Sequence, residues 1–233
     1  AAFRFELSKV TVPAIRERMV SSLRNVSEHL ASQVAAGLGM ALPEPMPRAL
    51  AHAPTPEVAH SPALSLLARP GDGGIQGRKI AILVADGVVG KSALALHAAL
   101  FAQGAVPRFV APRIGAVATA DQVEINADAS LENEPGFLFD ALALPDGEDG
   151  VQKLAADGHT MEFIKDHYRH CKAILVMPAS SALMVQAQVP ATLPSGEPDP
   201  GLFLGDSDQH FKGFIQAIAR HRHPERETDP PVV

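Results

Sequence analysis

Residues Cys171–Val185 read CKAILVMPASSALMV, and the kind of protein this is turns on that run. AILVM is a short, unbroken apolar segment, the pattern of a strand covered on both faces in a parallel sheet. The residues after Pro178 take up a helix. In many α/β enzymes such a strand-to-helix bend presents a nucleophilic Ser or Cys at the C-terminal end of the strand. Here the bend carries Met177, Pro178 and Ala179. A thioether has no proton to lose, and proline lacks the backbone donor that an oxyanion hole would use. The stretch has the form of an enzyme without the attacking atom.

Working outward, residues 77–226 repeat the same alternation. Lys79–Ala85 (KIAILVA), Val106–Ala111, Asp140–Leu144 and Ala173–Met177 read as parallel strands. Lys91–Gln103, His159–Arg169 and Ser207–His221 read as helices, the first ending at Gly104. AVATADQVEI, ending at Ile125, has the look of a hairpin with its turn near Asp121. Strands and helices at this spacing imply right-handed βαβ units and a three-layer α/β open parallel sheet.

Two regions precede that domain. In residues 1–39, Phe3, Phe5 and Leu7 alternate with Arg4 and Glu6 and predict a short extended segment. Thr11 and Pro13 open a helix with Ile15, Met19 and Leu23 along one face. Ser27 caps a second helix that carries Leu30 and Val34 and stops near Gly37. Two such helices are expected to need a docking surface from elsewhere. Residues 40–76 hold seven prolines from Pro43 to Pro70, then Gly71, Gly73 and Gly74, and predict an extended strap. Residues 227–233 are a tail.

Composition limits the function. The chain of 233 residues is 46% hydrophobic and 20% charged, with a net charge of −6. That balance lacks the basic face of a general nucleic-acid binder. No apolar run is long enough for a membrane span. The lone cysteine, Cys171, excludes internal disulfides and suits a reducing, cytoplasmic setting. The opening AAFRFELSKV has neither Met nor an apolar core stretch and reads as the start of an excised fragment.

The sharpest candidate motif is Ala85-Asp86-Gly87-Val88-Val89-Gly90-Lys91-Ser92. It fits a loosened phosphate loop, in which Lys91 would meet the terminal phosphates and Ser92 would hold magnesium. Against that, Val88 and Val89 suit an anion nest poorly, and Asp146 sits behind Pro145. The plainer reading is a helix entry with Ser92 in its first turn. Ser180 and Ser181 lack the glycines of a nucleophile elbow, and Ser180 is expected to cap the following helix. Asp146, Glu148 and Asp149 read as a solvated acidic loop. Cys171 falls at the sheet edge opposite to where ligands gather. His167, His170 and Cys171 lack a fourth zinc ligand. His221 and His223 read as a solvated helix end.

Three quoted stretches carry a resemblance. FRFELSKVTVPAIRERMVSSLRNVSEHLASQVAAGLG at 3–39 is similar to the last helical segment of large-subunit haem catalases. GRKIAILVADGVVGKSALALHAALFAQGAVPRFVAPRIG at 77–115 and DALALPDGEDGVQKLAADG at 140–158 resemble the flavodoxin-like C-terminal domain of those enzymes. More broadly, the central domain resembles the DJ-1/PfpI branch of the class I glutamine-amidotransferase-like fold. Against that branch, Met177 falls where the elbow cysteine belongs and Ser92 about where the supporting acid belongs. Pro145-Asp146-Gly147 replaces the glycine pair that supplies oxyanion donors.

The resemblance implies a C-terminal region with no catalytic, cofactor-binding or metal-binding residues of its own. The parent would convert hydrogen peroxide to water and oxygen on haem. The partners implied are the catalase core and sister subunits in a homo-oligomer, with chaperone-like contacts to unfolded clients. The haem chemistry needs a distal His and Asn and a tyrosinate, and Tyr168 lies in the wrong domain for that. The rivals are a nucleotide-binding protein using Lys91 and Ser92, and a DJ-1/PfpI-type hydrolase.

Overall fold

The computed structural model describes residues 2–52, 55, 57–58, 61–65, 73–228 and 230–233. The chain divides into two compact units, Ala1–His60 and Ser61–Val233. Pro54, Pro56, Pro70 and Gly71, part of the predicted strap, lie outside the described residues. Among those described, no helix is long and apolar enough to cross a membrane.

The first unit holds α1 (Ala2–Ser8), α2 (Pro13–Arg24) and α3 (Glu28–Gly37). Pro13 opens α2, and Ser27 caps α3 by accepting the Leu30 N–H at 3.3 Å. Two expectations are corrected. Phe3–Leu7 is helical, because Leu7 packs into a core with Val20, Leu23, Ala31, Val34 and Ala35; a five-residue alternation is too short to outweigh that contact. The helices also have a core of their own, to which α1 and residues 38–42 contribute. Ile15 and Met19 are left outside it, each 42% exposed. The chain after α3 runs along α2, where Ser21 Oγ, Arg24 Nη1 and Asn25 Nδ2 donate to the carbonyls of Glu44, Pro43 and Met46.

The second unit is built on β1 (Lys79–Leu83), β2 (Val106–Ala111), β5 (Ala129–Ser130), β6 (Ala141–Leu144), β7 (Ala173–Val176) and β8 (Leu202–Leu204). They form one all-parallel sheet in the order β5-β2-β1-β6-β7-β8. The antiparallel hairpin β3 (Gly115–Ala118) and β4 (Glu124–Ala127) stands apart from it. The β2-β1-β6-β7-β8 core is the flavodoxin-like order. Successive side chains of β1 alternate between faces. Ile80, Ile82 and Val84 pack under α4 (Gly90–Ala102) and α8 (Asp208–Arg220). Ala81, Leu83 and Ala85 pack under α5 (Glu148–Ala155), α6 (Gly158–Arg169) and α7 (Ser181–Gln186).

Three further expectations change. Glu148 and Asp149 are the first turn of α5, where carboxylates complement the helix dipole, and not part of a loop. β5 and β8, of two and three residues, are too short to show a period. His223 is wholly buried and not solvated. After α8 the chain turns back at His221, which has φ of 71°, and the His223 N–H donates to Cys171 O at 2.8 Å.

His167 on α6 is also fully buried, stacked on Phe163 and hydrogen-bonded through Nδ1 to Phe163 O at 2.9 Å. Desolvation, aided by the nearby Lys172 charge, pushes its pKa down to about 3 from 6.5. The folded state therefore binds fewer protons than the unfolded chain between those values. Stability should be intact above about pH 6.5 and fall below it, by up to ~1.4 kcal/mol per pH unit from this group. Urea unfolding at pH 7 and pH 5 checks this, and His167→Leu should make the profile shallower.

Candidate functional site

In open parallel sheets ligands gather at the carboxyl ends of the strands, where the strand order reverses. Here that point lies between β1 and β6, and it is filled by protein. Val88 is fully buried in the gap. Gly87 and Gly147 have φ of 101° and 104°, and the loops that carry them touch. A Cβ on Gly147 would stand 2.7 Å from Gly87 O. A Cβ on Gly150 would stand 2.4 Å from Val88 Cγ1 and 2.6 Å from Val88 N. Val89 N–H donates to Asp146 O at 2.9 Å, and Gly87 N–H to Ala118 O at 2.8 Å.

The predicted phosphate loop is therefore knitted into its neighbours. Its helix N-terminus is capped from within the chain: Asp121 accepts the N–H of Gly90 at 2.8 Å and of Lys91 at 2.9 Å. The Lys91 bond is the main reason that the Asp121 pKa lies below its ordinary value. Ser92 Oγ donates to Val89 O at 3.0 Å. A phosphate would have to displace Asp121, and Ser92 would have to surrender its bond. The helix-entry reading accounts for every residue of the motif.

The three positions singled out by the family pattern do come together. Met177, Ser92 and Asp146 line one groove of about 590 Å³ between α4 and α8. Met177 continues β7 and is followed by a 3-10 turn, Pro178–Ser180. Its thioether occupies the elbow position, and the Ser92 hydroxyl beside it is engaged with Val89. Ser180 does not cap α7 as expected. It is fully buried and its hydroxyl donates to Pro145 O, tying the β7 bend to the loop after β6. His210 sits at the start of α8 with Nδ1 2.7 Å from Ser207 Oγ.

A second cavity of about 670 Å³ opens at the ends of β1 and β2. It is lined by Asp86 and Arg113, 3.5 Å apart, by Asp157, which accepts the His159 N–H at 2.9 Å, and by Lys153. Cys171 lies at the opposite edge of the sheet, buried, with burial pushing its thiol pKa up. Among the described residues no cluster of His, Cys, Asp or Glu is placed to hold a metal ion. Sequence reading missed Val88 as the plug and Asp121 as the cap of α4. The turn at Asp121 was legible, but its partners lie thirty residues earlier, and no local pattern joins them.

The Gly150 contact is the most sensitive point of this closure. Gly150→Ala should destabilise the domain by roughly 1–3 kcal/mol, the ordinary cost of overpacking. Urea unfolding would measure it, and Gly158→Ala, where a Cβ meets nothing within 4 Å, is the neutral comparison.

Residues 76–228 match the model of the C-terminal domain found in long catalases, and residues 1–38 match a catalase-related model described as immune-responsive. Catalase HPII of Pseudomonas putida is 37% identical over 228 residues, covering 97% of this chain and 30% of that protein. Catalase C of Rhizobium meliloti is 36% identical over 196 residues, 84% of this chain and 27% of that protein. Catalase HPII of Mycobacterium avium is 34% identical over 239 residues, 98% of this chain and 33% of that protein. The chain thus spans about a third of the length of these relatives. With a flavodoxin-like sheet and the matched region covering most of its length, this chain belongs to the family of C-terminal domains found in long catalases.

Proposed function

We propose that the chain acts as a scaffolding module without turnover of its own, in a long catalase whose complete polypeptide decomposes hydrogen peroxide to water and oxygen on haem. One observation carries this reading: the bend after β7 is held by Met177, and the Ser92 hydroxyl that lines the same groove donates to a backbone carbonyl. The module would pack on the catalase core and on sister subunits of a homo-oligomer, stabilising the tetramer and shaping access to the channel. A reducing cytoplasm is the proposed compartment, in keeping with a lone buried thiol.

Tyr168 does not offer haem a fitting seat. The phenol of Tyr168, the one tyrosine, is buried beneath Arg226, whose guanidinium carbon lies 5.0 Å from the ring centre. Desolvation, with the Asp199 charge, raises its pKa, the wrong direction for a tyrosinate ligand. The cavity that it lines measures about 60 Å³, far below the bulk of a porphyrin.

The purified chain should therefore show no Soret band after incubation with haemin and desalting, and no oxygen release from peroxide. Either signal would overturn the silent-module reading. Phe3, Phe5, Ile15 and Met19 are exposed on the helices of the first unit and support a chaperone-like role toward unfolded clients. Light scattering from a heated client enzyme should fall when the chain is added in molar excess. Unchanged scattering would remove that role and leave the scaffolding one intact.

A further inference from the structure

A surface helix of a water-soluble domain ordinarily turns a polar face outward. α4 does not. Its sequence, GKSALALHAALFA, is apolar on nearly every side. Ala93, Leu96 and Leu100 face the sheet, and His97 stacks on Phe109 at 4.9 Å between ring centres. The opposite arc carries Phe101, Leu94, Ala98, Ala102, Ala95 and Ala99, all exposed. At the angular step of an α-helix these six cover roughly 160° of the circumference, and the exposed Lys91 of the first turn falls inside the same arc. Phe101 is 68% exposed and Leu94 37%.

The arc is continuous with the groove already described. Ala95 and Ala99 form one wall of it, and Phe211 and Ile215 of α8 form the other. Its mouth carries Asp146, Asp206 and Asp208 against one ammonium, Lys212. The combined surface is an apolar ridge and trough with a net negative rim.

We infer that the α4 ridge and the α4–α8 groove are the docking face for the part of a long-catalase polypeptide outside the matched region, and that the segment received there presents apolar side chains flanked by Lys or Arg. The relatives supply such an occupant, since about two thirds of their length lies outside the match. The charge of the rim sets the sign of its flanking residues. The inference rests on the scaffolding reading and adds which face is used and the chemistry that it recognises.

The test mixes this chain with Pseudomonas putida catalase HPII truncated to remove the region that matches it, and follows association by calorimetry and sedimentation. Wild-type chain should bind, more weakly as salt rises. Leu94→Glu combined with Phe101→Glu should weaken binding at least tenfold. Asp206→Lys with Asp208→Lys should weaken it severalfold and flatten the salt dependence. Gln152→Glu, exposed on the opposite side of the sheet, should leave it unchanged. All substituted positions are solvent-facing, and unaltered urea midpoints would show that the variants are folded.

Undiminished binding by the Leu94/Phe101 variant would overturn the docking face and leave the scaffolding reading standing. No binding by wild-type chain to a haem-loaded, folded partner would overturn both. A wild-type dimer dispersed by the same two substitutions would assign the face to a second copy, against the inference. Should the truncated partner not fold, the full-length enzyme carrying this chain in place of its own matching region provides a second measurement. Benzoylphenylalanine at position 101 should cross-link to the larger portion of the polypeptide, and at position 152 should not. An assembled, active chimaera with no cross-link from position 101 would overturn the inference.

Discussion

The gap between β1 and β6 is the place where an open parallel sheet ordinarily accepts a ligand, and the rest of this domain is arranged around its closure. Val88 enters the gap as an apolar plug. The loops on either side can approach it because Gly87, Gly147 and Gly150 lack the Cβ atoms that would collide. Once they have closed, the backbone donors that could have cradled an anion are bonded to Ala118 and Asp146 carbonyls, and the end of α4 is held by Asp121. What remains open is displaced to the flank, between α4 and α8, where Met177 stands in place of a nucleophile. Closure of the gap and compactness of the domain are thus one arrangement.

The opposite edge of the sheet is tied by charge. Asp199 and Arg226 form an ion pair at 2.6 Å with both side chains 1% exposed. Each is further engaged, Asp199 with the Gly201 N–H and Arg226 with Lys172 O. A buried pair of this kind is weak evidence for stability as such, but removing one partner leaves a charge without compensation, at about 3–5 kcal/mol. Its geometric effect is clearer: it binds the last turn of the domain to the approach to β8, and so to the edge of the sheet that sequence reading left out.

Legibility followed the range of the interaction. β1, β2, β6 and β7 were read from apolar runs, α4, α6 and α8 from periodicity and Gly104, and α3 from Ser27. Each of these signals lies within a few residues of the element it marks. α1 was misread because Leu7 is helical only by virtue of α3, twenty-odd residues on. β5 and β8 carry too few residues for any period, and His223 was assigned to solvent because its partner, Cys171, is fifty residues away. At the site, the bend after β7 and the residue that stands there, Met177, were legible in the sequence. The plug at Val88 and the cap at Asp121 were not, since both depend on which loops the sheet order places side by side.

α4 shows how a local pattern can be right about structure and still point beyond it. Its Ala- and Leu-rich sequence favours helix whatever surrounds it, and the Gly104 stop was enough to place its end. The same composition gives it an outer face that water does not favour. The inner face is accounted for by Leu96, Leu100 and the strands beneath them. On the outer face, from Leu94 to Phe101, Phe101 stacks on His97 of the same helix at 6.4 Å between ring centres while the arc stays exposed, and scattered exposed apolar residues would not form such an arc. A domain that fills the gap between β1 and β6 with its own side chains leaves this second apolar surface open, and an exposed surface of that breadth is retained at a cost in solubility unless something covers it.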